Sequence, residues 1–175
     1  MPYGISIQAR GIDVFPILRL WDEAAAFEAA PSMAELDYDP HVTLAIYDEI
    51  DVERLRDAAA AVFAKQPPIA LTFDRIEHFE GEQWVLWAAP RPSAALVELQ
   101  AAVHREIDPG LCWPHYRPDA WRPHCTVAMD VPPEKRAAAL AWAGQPRVPF
   151  TVTFDVGDCA RFYPVELLAE WTLTS

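Results

Sequence analysis

The sequence predicts an α+β fold made by internal duplication. Three observations carry that expectation. First, HVTLAIYDEIDVERLRDAAAAV and HCTVAMDVPPEKRAAALAWA each run from a strand-like stretch into an alanine-rich helical one. The likeness extends in both directions: YGISIQAR and VLWAAPRP stand at similar distances upstream, and Phe79 trails His41 by the same interval as Phe162 trails His124. Second, helical segments separate the strands within each half. Third, the closing strands of each half are joined by short turns, which only antiparallel pairing accommodates. One domain over 1–175 is expected, with approximate halves 1–83 and 84–175, and two antiparallel sheets with helices on the outside.

The elements follow in order. Residues 4–9 alternate weakly and read as a strand. FPILRLWDEAAAFEA, over 15–29, suits a helix with Pro16 in its first turn, where a missing N–H costs nothing. A strand is expected over 41–47, then a helix over 51–65 capped by Asp51. Residues 69–79 and 84–89 form a hairpin around the Glu80–Gly81–Glu82 turn. In the second half a helix over 94–107 takes Ser93 as its cap, and a strand follows over 124–130. Pro132 and Pro133 open a helix over 133–143, and strands over 149–162 and 166–173 complete the chain.

The 175 residues are 52% hydrophobic and 23% charged, an ordinary globular balance. No apolar run reaches the length of a membrane span, and MPYGISIQAR has no basic region followed by an apolar one. A cytoplasmic protein, acting as a monomer, is expected. Three widely spaced cysteines, Cys112, Cys125 and Cys159, argue against a disulfide framework. The net charge of −12 argues against long nucleic acid as a partner, because that binding is driven by Lys and Arg neutralising phosphates. A small anion held by a few local donors is still admitted, since a distant surface charge is screened over about 8–10 Å.

The chemistry concentrates in the repeated strand. Side chains at i and i+2 share a face, so His41 and Thr43 project one way and Val42, Leu44 and Ile46 the other. His124 and Thr126 likewise share a face, opposite Cys125, Val127 and Met129. One histidine on a strand is usually a satisfied, half-buried imidazole. Two at equivalent places in a duplicated chain can meet across a central groove. Imidazoles with ordinary values near 6.5 then serve as general base and general acid, and the threonine hydroxyls hold the non-bridging oxygens of a phosphate. Such a site needs no metal and no cofactor.

The paired motifs His41-Val42-Thr43 and His124-Cys125-Thr126, in their duplicated context, resemble the HxT motifs of the two-histidine phosphoesterase superfamily. That group includes RNA 2′,5′-ligase-like proteins and 2′,3′-cyclic nucleotide phosphodiesterases. The resemblance covers nearly the whole chain. It implies a bilobal α+β fold with the active groove between the lobes. It also implies metal-independent cleavage, or its reversal, at a cyclic phosphodiester or 2′,5′ linkage of a nucleotide or short RNA end. His41, Thr43, His124 and Thr126 carry over as the catalytic residues. The acidity of the chain departs from RNA-handling members and favours a nucleotide or short oligonucleotide, with ADP-ribose cyclic phosphate as an alternative. Nothing in the sequence assigns base and acid between the two histidines.

Further residues sit beside the motifs. Arg122 either contacts a phosphate or is a solvated charge ahead of the strand. Trp121 and Tyr38 either stack on a base or form apolar wall, and Tyr163 and Phe79 either line the groove or pack. A zinc site from Cys112, His115, His124 and Cys125 is disfavoured, because adjacent residues of a strand point to opposite faces. The same geometry disfavours Cys125 as a nucleophile. His78 and His104 have no repeated counterpart and read as solvated or capping. The rival in another class is a nucleotide- or phosphate-binding module that keeps the groove without turnover.

Overall fold

The computed structural model describes residues 1–81 and 83–174. Eight strands form two four-stranded antiparallel sheets, with α-helices packed on them. Strand β1 (Tyr3–Gln8) leads through a 3₁₀ turn into helix α1 (Phe15–Ala24). Its apolar stripe, Ile17, Leu20 and Ala24, is buried. The helix expected over 15–29 stops at Ala24, and Ala25–Phe27 continue as a 3₁₀ turn. Pro31 disfavours helical backbone at the residue before it. The buried Glu28 carboxylate instead accepts from the Ser32 backbone N–H at 3.2 Å, at the start of the short helix α2 (Ser32–Glu35).

Strand β2 (His41–Tyr47) precedes α3 (Val52–Phe63), whose Asp51 cap accepts from the Arg54 N–H at 2.9 Å. Strands β3 (Ile69–Phe79) and β4 (Val85–Pro90) form the expected hairpin, of whose turn Glu82 lies outside the described residues. Helix α4 (Ala94–Glu106) is capped by Ser93, which accepts from the Leu96 N–H at 3.3 Å. Then come β5 (Cys125–Ala128), α5 (Pro133–Ala143), β6 (Phe150–Phe154), β7 (Val156–Arg161) and β8 (Glu166–Thr172). The second motif strand is shorter than the 124–130 expected. Pro123 precedes it, and Asp130 takes a left-handed backbone, φ 55°, that ends it.

One sheet has the order β2-β1-β7-β8 and the other β5-β4-β3-β6. The continuous strand expected over 149–162 is therefore two strands in different sheets. Phe150–Phe154 pair with β3, and Val156–Arg161 pair with β1. Asp155 makes the crossing: its N–H donates to the Gln8 carbonyl at 3.0 Å, and its carboxylate accepts from the Arg10 N–H at 3.0 Å. The motif strands β2 and β5 each lie at the edge of a sheet, and helix α1 packs on β5 while α4 packs on β2.

Each motif strand carries a β-bulge. Against β1, Ser6 pairs with Thr43 and Ile5 with Ala45, which leaves Leu44 extra. Against β4, Trp87 pairs with Thr126 and Leu86 with Ala128, which leaves Val127 extra. An extra residue reverses the alternation beyond it. Ile46 and Met129, expected on the apolar face with Val42, Leu44, Cys125 and Val127, consequently line the same groove as the motif residues.

Candidate active site

His41 opens β2 and His124 immediately precedes β5, each just after a proline. Both imidazoles are fixed by the same local bond. His41 Nδ1 lies 3.0 Å from the Asp39 carbonyl oxygen, and His124 Nδ1 lies 2.8 Å from that of Arg122. A carbonyl only accepts, so each Nδ1 carries the proton and each Nε2 holds the free lone pair in the neutral ring. The threonine two residues on follows from strand geometry. Ser6 donates to Thr43 Oγ1 at 3.3 Å, which leaves the Thr43 hydroxyl proton free to donate elsewhere.

Because β2 and β5 are edge strands, the outward carbonyls of their threonines have no neighbouring strand to bond. Indoles take that place reciprocally. Trp121 Nε1 donates to the Thr43 carbonyl at 3.1 Å, and Trp21 Nε1 donates to the Thr126 carbonyl at 3.0 Å. A tryptophan from each half thus braces the motif of the other. Replacing Trp121 by Phe keeps most of the ring and removes the donor. The expected loss is about 1–3 kcal/mol in urea unfolding, the cost of leaving a partly buried carbonyl unpaired. A loss below about 0.5 kcal/mol would mean that water replaces the indole N–H at no cost.

His41, Thr43, His124 and Thr126 all face one groove of about 570 Å³, together with Arg122, Phe79 and Tyr163. Burial lowers the His41 pKa to about 4; the Asp39 carbonyl opposes that shift and the charge of His124 adds to it. His124 is also lowered by burial, against the Arg122 carbonyl and with the charge of His115. The ring of Phe79 meets His124 edge-on at 5.0 Å and stacks on Trp87 at 4.7 Å, so Phe79 both lines the groove and orients an imidazole. Tyr163 is 60% exposed at the rim.

Two residues singled out in the sequence lie off the groove lining. Tyr38 is buried beside His41, ring centroids 4.5 Å apart, and its hydroxyl donates to Asp158 at 2.8 Å. Trp121 borders an adjoining cleft with Arg75 and Arg122. Cys125 is fully buried, and burial pushes its thiol up to about 12, far from a reactive thiolate. Cys112 is buried as well. Among the described residues, no group of three or more His, Cys, Asp or Glu side chains is placed to hold a metal ion.

The structure adds residues the sequence did not assign to the groove, among them His115, raised there only as a disfavoured zinc ligand. His115 lines the groove, with Tyr116 at 4.8 Å and Trp113 at 5.5 Å between ring centroids. Phe162 also lines it, set directly over Gly4, where a Cβ would stand 2.7 Å from the phenyl ring. Behind His41 runs a polar chain, buried at Asp158 and Gln8 and reaching the surface at Arg10 and Asp39. Gln8 Nε2 donates to Asp158 at 2.8 Å, and Arg10 donates to Gln8 Oε1 at 3.1 Å and to the Asp39 carboxylate at 2.7 Å. His115 had one available signal, its place in an aromatic-rich stretch just ahead of the second motif. Asp158 had none, because its partners are distant in sequence.

The profile of the 2′-5′ RNA ligase superfamily matches residues 17–157. No curated protein sequence matches significantly. Several solved structures share the fold. Escherichia coli LigT complexed with 3′-AMP superposes with a TM-score of 0.66 at 18% identity, over 100% of both chains. TT0787 of Thermus thermophilus gives 0.65 at 15% identity, over 99% of this chain and 98% of the other. A further phosphoesterase structure gives 0.66 at 16% identity over 99% of each. With four fifths of its length matched by the family profile, the chain belongs to the 2′-5′ RNA ligase superfamily, the two-histidine phosphoesterases.

Proposed function

We propose that the groove hydrolyses a cyclic phosphodiester or 2′,5′ linkage of a nucleotide or short RNA end, without a metal. One observation carries the reading: two imidazoles, each with Nδ1 held by a carbonyl, and a threonine two residues beyond each, face a single groove. His41, whose pKa burial lowers to about 4, takes a proton from the attacking water through Nε2. Water oxygen bonds to phosphorus as the bond to one ribose oxygen breaks. Protonated His124 returns a proton to that leaving oxygen, so the proton count balances and a ribose monophosphate remains. The Thr43 and Thr126 hydroxyls donate to the non-bridging oxygens, where charge builds. The same reading takes residues 1–83 and 84–175 as two copies of one unit. The motif strand at the edge of each sheet with the first strand of its own half beside it, the paired bulges and the reciprocal indoles support it. The complexes of Escherichia coli LigT with 3′-AMP, NADP+ and ATP support small nucleotide ligands for this fold.

The test is incubation with the four nucleoside 2′,3′-cyclic phosphates in excess chelator, with product followed across pH. Hydrolysis to a monophosphate is expected. The productive form pairs one neutral and one protonated imidazole, and both values lie below 6.5, so the kcat/KM optimum should fall on the acid side of pH 6.5. Activity that requires added metal, or an optimum in the alkaline range, contradicts this mechanism. Binding of the nucleotides with no turnover of any cyclic or 2′,5′-linked substrate would instead mark a binding module.

A further inference from the structure

The charge lining the groove narrows the substrate further. Among the described residues that line it, Arg122 is the one fixed cation and Glu80 the one fixed anion. The rest of the wall is largely aromatic and apolar, including Phe79, Trp113, Tyr116 and Phe162. The cations close behind it are already committed. Arg10 is held by Asp39 at 2.7 Å and Glu170 at 2.9 Å, and Arg117 donates to the Gly110 carbonyl at 3.3 Å. Asp48 adds a carboxylate just behind the wall, accepting the Trp113 indole N–H at 2.8 Å. The remaining titratable residues on the lining are His41, His124 and His115, with Tyr116 and Tyr163.

A groove of this charge matches one phosphodiester, held by the two threonines, an imidazolium and Arg122. A second phosphate would meet Glu80 and aromatic wall within a protein of net charge −12. We infer that the groove selects substrates whose only charge is the scissile phosphodiester, such as a nucleoside 2′,3′-cyclic phosphate or a 2′,5′-linked dinucleotide, over the same molecules bearing a further terminal phosphate. The inference rests on the proposed phosphoesterase reading for its turnover arm but not for its binding arm.

At low salt long-range charge is least screened. Adenosine 2′,3′-cyclic phosphate should then be turned over with kcat/KM on the order of tenfold above that of its 5′-phosphorylated form. The gap should narrow as salt rises, and Glu80→Lys should close most of it. Calorimetric binding of adenosine 3′-phosphate against adenosine 3′,5′-bisphosphate asks the same question without chemistry, and the monophosphate should bind more tightly. Equal or tighter binding of the bisphosphate, or a turnover ratio near one that Glu80→Lys does not move, overturns the inference. If no cyclic nucleotide is hydrolysed yet the monophosphate still binds better, the selectivity stands and the proposed activity falls.

Discussion

Replacing His41 or His124 by alanine is expected to lower kcat/KM on a 2′,3′-cyclic nucleotide by roughly 10²–10⁴ each, the range for loss of a general acid or base. The size follows from what each imidazole alone supplies. With His41 absent, no other neutral base is held at the same point of β2: Asp39 is turned to Arg10 at 2.7 Å, and Tyr38 spends its hydroxyl on Asp158. With His124 absent, the leaving oxygen departs unprotonated, and His115, the other imidazole of the groove, sits on a separate 3₁₀ turn over 114–116. Both motif histidines are only partly buried and bond through Nδ1 to a local carbonyl, so removing either costs little packing and the fold should survive. Because one proton is taken and one given in the same turnover, the double variant should lose far less than the product of the single losses. Far-ultraviolet circular dichroism with steady-state kinetics on purified variants decides it. Near wild-type rates in both single variants, with the fold intact, would remove the two-histidine mechanism.

How far the sequence anticipates this site is clearest at the bulges. The alternation of PHVTLAIYD and RPHCTVAMD correctly places histidine and threonine on one face as far as Thr43 and Thr126, because nothing interrupts the two-residue period there. Past that point the period predicts Ile46 and Met129 on the back, and the extra residues Leu44 and Val127 bring both into the groove. A bulge is a property of a strand pair, so one strand's pattern does not announce it. The break at Asp155 escapes for a similar reason. VPFTVTFDVGDCARF reads as one long strand, and its division rests on bonds to Gln8 and Arg10 near the other end of the chain. The helix caps Asp51 and Ser93 were legible, since capping is local. The roles of Trp121 and Tyr38 were not: both residues direct their polar atoms to partners distant in sequence, a fact only the fold supplies.

The polar chain behind His41 leads to the second large effect, a pH-dependent stability centred on Asp158. This carboxyl is fully buried, and its pKa is raised from 3.8 to about 7. Burial is the main cause; the bonds from Gln8 and Tyr38 and the charge of Arg10 oppose it, while Glu170 adds to it. The folded protein therefore holds the proton more tightly than the unfolded chain does. Stability from this group is complete below about pH 4, and it drains away as pH rises through about 7. Asp158→Asn keeps an oxygen to accept the Tyr38 hydroxyl and abolishes the titration. Its amide meets the Gln8 amide donor, which is already oriented by Arg10, so a constant penalty of about 1–3 kcal/mol is expected at every pH. The pH dependence separates the two contributions. Between about pH 4 and pH 8 the variant should gain about 2–4 kcal/mol relative to the wild type, measured as the difference in urea-unfolding free energy. A difference that stays flat over that range would mean that Asp158 ionises in the folded protein as freely as in the unfolded chain, and that the desolvation argued here is relieved by other means. Because Tyr38 links Asp158 to the ring of His41, the same titration gives a second readout: Asp158 gains its charge only near pH 7, so the alkaline limb of kcat/KM should shift in Asp158→Asn if that charge reaches the site. Unchanged limbs alongside the stability gain would confine Asp158 to folding and leave the His41 pKa to burial and the Asp39 carbonyl.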